Sequence, residues 1–247
     1  MSTVRLDKYL ADAGIGTRSE VKLDIKKGKV LVNQVTVTRP EQKIDPDTDV
    51  IQYDNRLIRF APYEYYILNK PAGYVSATKD NTAPTVLSLM ESPRKDLFPV
   101  GRLDKDTEGL LLITNDGALA HRLLSPRHHV DKTYYVIVDG IVDETDIHAF
   151  ANGLSIGDED LDVALPARLI VLKTDQSEKK LSYVSVTIQE GKFHQVKRMF
   201  QALGKKVLYL KRIRFGSLSL PDDLPSGEYR ELTEDEILLL KKLSFTD

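Results

Sequence analysis

The sequence predicts an α+β protein in which a small module of helices and strands precedes a larger domain built on a largely antiparallel, mixed sheet with flanking helices. Two observations support this prediction. Beyond residue 60, segments with strand patterning outnumber those with helical patterning, and the two kinds do not alternate regularly. Before residue 60, two short amphipathic helices are followed by pairs of alternating strands. We therefore predict two domains, 1–60 and 61–247.

The composition is typical of a protein from a reducing compartment. The 247 residues include no cysteine, which excludes disulfides and thiolate zinc sites. No apolar run approaches the about 20 residues needed to cross a bilayer, and the first five residues lack the apolar core of a signal peptide. We expect a soluble cytoplasmic protein with no membrane partner.

Charge is strongly segregated along the chain, although the net charge is only −2. Residues 139–162 contain eight acidic residues and no Lys or Arg, whereas residues 191–221 contain eight Lys or Arg and no acid. One basic face is enough to meet a polyanion such as RNA, whatever the total charge. The alternative is two oppositely charged surfaces that keep the protein in solution, and charge by itself does not decide between the two.

The first 60 residues predict a compact helical start followed by strands. A capping box formed by Thr17 and Glu20 opens the second helix, and alternating strands follow over 29–37 and 49–58. The first helix is predicted from apolar residues at i, i+3, i+4 and i+7, namely Leu6, Tyr9, Leu10 and Ala13. Basic residues recur every four positions along one side of the second helix, namely Arg18, Lys22 and Lys26.

The larger domain is predicted to contain more strands than helices. Strand patterning covers 65–68, 110–113, 132–138, 164–172, 181–189, 207–210 and 213–220. Helical patterning covers 118–124, 144–151, 194–203 and a terminal segment opened by a capping box at 233–236.

An acid-rich turn, 101–109, leads directly into the apolar run 110–113. A buried strand is a rigid anchor, so a carboxylate on the loop before it can be held in one place, as catalysis requires. The acids of this turn also match the start of an EF-hand calcium loop. The twelfth position is Asn115 instead of Glu, however, and the residues after Gly109 are strand-like. We therefore expect no metal site.

Several motifs resemble one known family. Residues 101–117 resemble the G-R-L-D-x-D-T-x-G-L-L-L-x-T-N-D-G signature of ribosomal RNA pseudouridine synthases of the RsuA/RluB/RluE/RluF type. Residues 69–74 match that family's N-K-P-x-G-Y turn, 132–134 its K-x-Y strand and 190–199 its E-G-x-x-x-Q-V-[RK]-R-M helix. Residues 5–33 resemble an S4 RNA-binding domain. The resemblance covers nearly the whole chain.

The resemblance implies an isomerase that breaks the N1–C1′ bond of a uridine, turns the base and rejoins it through C5. The family's catalytic Asp maps onto Asp104, and Asp106 and Glu108 do not inherit that role. The carboxylate either attacks C1′ or removes the C2′ proton, and the sequence leaves both routes open. No cofactor is implied, because the reaction is redox-neutral.

Two more catalytic residues follow from the resemblance. Period-two alternation places Tyr134 on one face of its strand with Val136. The ring could stack on the target base and the phenol handle the C5 proton, although a strand Tyr is more often a core residue. The family's basic partner of the Asp maps onto Lys197. Lys cannot form a bidentate fork, so whether Lys197 or Arg198 makes the pair is open.

We also expect several contacts to RNA. Arg102 would help to hold the target nucleotide out of its stack. The stripe on the second helix would contact phosphates without reading sequence. The other expected contacts are Lys132, Lys192, His194, Gln195 and Arg198. The expected partner is ribosomal RNA of the small subunit (16S), acted on by a monomer. One alternative is the same chemistry on large-subunit (23S) RNA. The other is a ribosome-assembly protein that binds RNA without catalysis.

Overall fold

The protein is described from a computed structural model that covers residues 3–46, 48–58, 63–91, 94, 96–157, 162–175 and 177–243. Contacts along the chain divide it into two compact units, residues 1–63 and 64–247. Each unit has a hydrophobic core of its own. Within these described ranges, no helix is long and apolar enough to cross a membrane.

The smaller unit packs two helices against short strands. Its second helix begins with the predicted capping box: the Glu20 amide donates to the Thr17 hydroxyl, and the Thr17 amide donates to the Glu20 carboxylate at 2.8 Å. The elements are β1 (Val4–Arg5), α1 (Leu6–Asp12), α2 (Arg18–Lys26), β2 (Val30–Val32), β3 (Val35–Val37), β4 (Lys43–Ile44), β5 (Ile51–Tyr53) and β6 (Arg56–Ile58). Four of these strands form an antiparallel sheet in the order β3-β2-β5-β6.

The larger unit is built on one nine-stranded sheet. Its strands and helices are β7 (Tyr65–Lys70), β8 (Phe98–Pro99), β9 (Glu108–Thr114), α3 (Gly117–Leu124), β10 (Lys132–Asp139), α4 (Glu144–Asn152), β11 (Leu154–Ser155), β12 (Val163–Ala164), β13 (Arg168–Asp175), β14 (Leu181–Ile188), α5 (Gln195–Ala202), β15 (Lys206–Phe215), β16 (Leu218–Ser219), β17 (Tyr229–Glu231) and α6 (Glu234–Leu243). The strand order is β13-β14-β10-β15-β9-β7-β17, with β8 beside β9 and β16 beside β15.

The pairing of β9 with β15 is the parallel joint in this sheet, and the other pairs are antiparallel. This confirms the predicted mixed, largely antiparallel sheet. At the joint, Gly109 has φ = 97°, and a Cβ there would lie 2.3 Å from the carbonyl oxygen of Arg212. Only glycine allows both the backbone conformation and the close approach of the two strands.

Both faces of β9 are buried. Leu111 and Ile113 belong to the core that also holds residues of α4 and α5, while Leu110 and Leu112 belong to the core that holds residues of α3 and α6. Burying each such side chain contributes about 1.5–3 kcal/mol. The strand is therefore held from both sides, and the loop that precedes it starts from a rigid anchor.

Some predicted elements differ from the structure. The strand predicted over 164–172 is the short β12 followed by a separate strand, β13, which runs on to Asp175. The strands predicted over 207–210 and 213–220 are one long strand, β15, followed by the short β16. The helix predicted to start at His194 starts one residue later, because His194 adopts a left-handed backbone with φ = 50°. That conformation turns the chain sharply just before α5.

Candidate active site

Asp104 lies in the loop that joins β8 to β9, directly before the buried strand. Its side chain is 27% exposed, so the carboxylate reaches solvent without projecting freely into it. The Thr107 amide donates to the Asp104 carbonyl at 3.1 Å and closes a turn. The loop therefore presents the carboxylate from a defined backbone position.

The segment that follows β7 holds this loop from a second side. The Ser76 hydroxyl donates to the Leu103 carbonyl at 2.9 Å and accepts from the Leu103 amide at 3.0 Å. The Gly73 amide donates to the Lys105 carbonyl at 2.7 Å. These bonds fix the backbone on both sides of Asp104.

Lys70, the last residue of β7, completes this clamp. Its side chain is fully buried, and its ammonium donates to the carbonyls of Pro71, Lys105 and Thr107 at 3.1, 3.3 and 2.6 Å. Burial lowers the pKa of Lys70 to about 8, against the opposing pull of nearby carboxylates. Sequence reasoning matched Lys70 to a turn motif and gave it no role, although a lysine at the end of an apolar run is a signal of such burial.

Lys197 on α5 provides the cation that faces Asp104. Its Nζ lies 3.1 Å from Asp104 Oδ2 and 2.6 Å from Asp106 Oδ1. Burial disfavours the charged ammonium, but the hydrogen bonds to Asp106 and Asp104 outweigh it and raise the pKa of Lys197. Burial likewise disfavours the Asp106 carboxylate, but the Lys197 ammonium outweighs it and holds the pKa of Asp106 below its usual value. A permanent positive charge therefore stands beside Asp104.

Arg198, the next residue, points elsewhere. Its guanidinium donates to the carbonyls of Ile156 and Phe193 at 2.9 and 3.2 Å and pairs with the Asp162 carboxylate. Successive helix residues point about 100° apart, so only one of the two can face the acid-rich loop. The pairing that the sequence left open is made by Lys197.

Tyr134 lies on β10 and lines the same open cleft as Asp104. Its cross-strand neighbour on β15 is Arg212, a buried guanidinium whose Nε donates to the Leu110 carbonyl at 2.7 Å. Burial lowers the pKa of Arg212, while contact with the Tyr134 phenol acts in the opposite direction. Sequence reasoning placed Arg212 only within a basic segment and missed its position behind the phenol.

Four of the expected RNA contacts line the cleft, namely Arg102, Lys192, His194 and Gln195. Arg102 is exposed. His194 is partly exposed, with its Nε2 3.5 Å from Asp104 Oδ1. The Lys192 ammonium is already bound to the Asp162 carboxylate at 2.9 Å and to a backbone carbonyl at 2.6 Å. Arg102 and His194 are therefore better placed than Lys192 to meet a ligand.

Lys132 and Gln195, two of the residues expected to contact RNA, are buried. Lys132 opens a central strand, where its ammonium donates to the Val130 carbonyl at 2.8 Å and burial lowers its pKa to about 8. The Gln195 side-chain amide lines the cleft, where it accepts from the Lys192 backbone amide at 2.9 Å and donates to the Glu190 carboxylate at 2.8 Å. Both side chains therefore already have partners within the protein.

The predicted basic stripe of the smaller unit surrounds a buried acid. Arg18 and Lys22 lie 3.4 and 3.9 Å from the Asp7 carboxylate, and Arg5 lies 2.9 Å from it. Burial acts to raise the pKa of Asp7, but hydrogen bonds from Arg5 and Arg18 outweigh it and lower that pKa. Lys26 is exposed, with no ion-pair partner among the described residues.

Asp104 and Tyr134 thus line one open cleft, and the Lys197 ammonium is fixed beside the Asp104 carboxylate. Such a set can transfer protons or form a covalent bond to a substrate carbon. Over the part of the chain that the structure describes, no group of three or more His, Asp or Glu side chains could hold a metal ion.

Comparison with known proteins identifies the chemistry. The family model for RNA pseudouridylate synthase matches residues 64–202, and the model for the S4 domain matches residues 4–50. A protein of Bacillus subtilis named Uncharacterized RNA pseudouridine synthase YtzG is 44% identical over 241 residues, which cover 97% of this chain and 99% of that protein.

Two further similarities cover nearly the full length. Ribosomal small subunit pseudouridine synthase A of Escherichia coli K12 is 41% identical over 235 residues, which cover 95% of this chain and 98% of that protein. A solved crystal structure of a pseudouridylate synthase is 38% identical, with a TM-score of 0.66 and coverage of 96% and 99% of the two chains. The chain therefore belongs to the RNA pseudouridine synthase family, a family of isomerases, and carries an N-terminal S4 RNA-binding domain.

Proposed function

We propose that this protein converts a specific uridine of small-subunit (16S) ribosomal RNA to pseudouridine, with Asp104 as the reacting carboxylate. The observation that carries the catalytic assignment is the position of Asp104 in an open cleft that Tyr134 also lines, with its carboxylate 3.1 Å from Lys197. The small-subunit substrate is supported by full-length relatives named for that activity, including those of Escherichia coli and Yersinia pestis.

Asp104 acts on the ribose of a nucleotide that has left its stack. The carboxylate either adds to C1′ as the N1–C1′ bond breaks, or removes the C2′ proton to open the same bond. In both routes the bonding electrons leave with the uracil ring, which turns and forms a new bond from C5 to C1′. In the first route the ester bond between Asp104 and C1′ breaks as the new bond forms, and in the second the proton held by Asp104 returns to C2′. The clamp from Lys70 and Ser76 keeps the carboxylate in place during these steps.

Lys197 keeps the reacting group oriented. Its ammonium lies 3.1 Å from the Asp104 carboxylate and fixes the direction in which that group points. Because Lys197 also binds Asp106 at 2.6 Å, its ammonium is held between two acids and cannot swing away. It acts as a positioning residue for Asp104.

Tyr134 completes the reaction. After the new bond forms, C5 carries a proton that must be removed and N1 gains one, so the reaction balances without a cofactor. The phenol faces the cleft, and the buried Arg212 guanidinium places a positive charge behind the oxygen on which negative charge develops.

RNA is held by two sets of groups. Arg102, exposed at the cleft, fills the gap that the target nucleotide leaves in its stack, which costs a few kcal/mol to open. The cations of α2 bind phosphates and position the RNA. The enzyme acts as a monomer, since both sets lie on one chain.

The test is tritium release from RNA labelled with tritium at uridine C5. We expect release from 16S RNA with the native enzyme and none detectable with Asp104→Asn, while RNA affinity is retained. Equal release by the two proteins would remove Asp104 from its role. Mapping pseudouridines in 16S and 23S RNA from cells with and without the gene identifies the substrate, and a site lost from 23S alone would contradict the small-subunit assignment.

A further inference from the structure

Phe193 is the most exposed large apolar side chain among the described residues, with 71% of its surface open to solvent. It lies in the turn between β14 and α5. Scattered surface hydrophobics are ordinary in soluble proteins, so exposure alone assigns nothing. What sets Phe193 apart is how firmly it is held and where it lies.

The ring is fixed by its neighbours. It stacks on the His194 imidazole with ring centroids 3.8 Å apart and planes 19° from parallel. The left-handed backbone of His194 imposes the turn that brings the two rings together. The Phe193 carbonyl accepts from Arg198 at 3.2 Å, which ties the turn to α5. A ligand would meet a surface that is already ordered, at little entropic cost.

The turn carrying the ring borders the candidate active site. Gly191, Lys192 and His194 line the cleft, and His194 Nε2 lies 3.5 Å from Asp104 Oδ1. His194 therefore stands between the reacting carboxylate and the Phe193 ring. A nucleotide whose ribose meets Asp104 cannot also cover Phe193, so the ring is placed for the neighbouring nucleotide.

The chemistry of the surroundings selects the ligand. An exposed aromatic face beside cations is how proteins bind single-stranded nucleic acid, because every base has a face that stacks and every nucleotide has a phosphate. Lys192 and Arg198 are adjacent, although their charges are shared with Asp162. A protein partner that binds through apolar contacts would need a larger exposed hydrophobic patch than a single ring provides.

We propose that Phe193, supported by His194, is a stacking platform for the base of the nucleotide that flanks the target uridine. This inference rests on the proposed function, since it takes the nucleotide at Asp104 as the one being isomerised. The platform holds the unstacked strand beside the cleft. It accepts any base, because stacking reads a ring face instead of hydrogen-bonding groups.

The chain contains no tryptophan, which offers a direct test. Phe193→Trp places one fluorophore at the proposed platform. The control, Leu238→Trp, places one at a position that is 52% exposed on α6, a helix that packs against the core formed with α3. The probe is a ten-nucleotide single-stranded RNA with one central uridine, bound to each variant in an Asp104→Asn background. We expect strong quenching at position 193 and little at 238. Equal quenching at both, or none at 193, would overturn the platform.

Affinity gives the second measurement. Stacking of one base contributes about 1–3 kcal/mol, so Phe193→Ala should weaken binding of the same RNA about 5-fold to 150-fold, and Phe193→Trp should retain it. Native tritium release with unchanged affinity of Phe193→Ala would overturn the platform and leave the proposed function standing. No release by the native enzyme, with affinity lost in Phe193→Ala, would overturn the proposed function and leave the platform standing.

Discussion

The helices α2 and α5 both carry basic residues, but these residues have different surroundings on the two helices. In α2, Arg18 and Lys22 lie around a buried acid, and their side chains are 51% and 47% exposed. In α5, Lys197 and Arg198 are 25% and 26% exposed. Lys197 binds two carboxylates of the loop before β9, whereas Arg198 binds the Asp162 carboxylate, which lies directly before β12.

The comparison shows that a cation is free to bind another ligand only where its pairs with carboxylates are long and weak. A half-exposed cation with long, weak pairs can exchange its partner for a phosphate at little cost. A cation held at 2.6 and 3.1 Å by two carboxylates cannot. The basic residues of α2 are therefore free to bind another ligand, whereas Lys197 of α5 is a fixed element of the candidate active site.

Removing the fixed cation should have the largest effect. We expect Lys197→Met to lower kcat/KM for tritium release about 30-fold to 5,000-fold, because truncating one partner of a charge pair at a binding surface costs about 2–5 kcal/mol. Lys205→Met is the matched control. Lys205 also pairs with an acid, Asp146, at 2.8 Å, but Asp146 does not line the cleft. Similar losses in both variants would mean that Lys197 supports only the fold.

Lys70 is a fully buried cation, so we expect the free energy of unfolding to depend on pH. Its pKa in the folded protein, about 8, lies below the ordinary value of 10.5. Between these values the unfolded chain binds more protons at Lys70 than the folded protein, so the native protein gains stability with rising pH. Relative to Lys70→Met, the gain should reach about 3 kcal/mol.

Urea unfolding of both proteins at pH 7 and pH 10.5 measures this difference. Lys132, whose pKa is also lowered to about 8, is present in both proteins and cancels in the comparison. A difference in the free energy of unfolding that does not change with pH would show that burial does not lower the pKa of Lys70.

Removing the three basic side chains of α2 should have the smallest effect. In the triple variant Arg18→Ala, Lys22→Ala and Lys26→Ala, we expect affinity for 16S RNA to fall at low salt, with kcat unchanged at saturating RNA. Each lost phosphate contact reduces the slope of log affinity against log salt by about 0.7–0.9. Titrations at several salt concentrations, with the exposed Lys179→Ala as control, measure the slope. A slope equal to that of the native protein would assign the stripe to ordinary surface.

Local patterns predicted the elements of the site well where neighbours in sequence decide the outcome. The capping boxes at Thr17 and Thr233 formed as predicted, because both partners lie within one turn. Alternation placed Tyr134 in the core that also holds Val136, since side chains of a strand alternate whatever the strand pairs with.

Long-range packing decided the rest. Whether Lys197 or Arg198 faces Asp104 depends on how α5 turns about its axis when Val196, Met199 and Phe200 insert into the core. The burial of Arg212 depends on the parallel joint at Gly109, which joins residues about a hundred positions apart. Lys132 is buried because β10 is flanked on both sides, a fact absent from its own neighbourhood.

The amino-acid sequence by itself determined the two-domain plan, the class of sheet, the acid-rich turn before an apolar strand and the family to which the chain belongs, because these follow from composition, period and motif. The tertiary structure alone decided which cation meets which carboxylate, that Lys70 holds the loop that carries Asp104 and that Phe193 is left exposed beside the cleft. Pairing and burial are properties of the space between elements, and that space exists only once the sheet and its helices have packed.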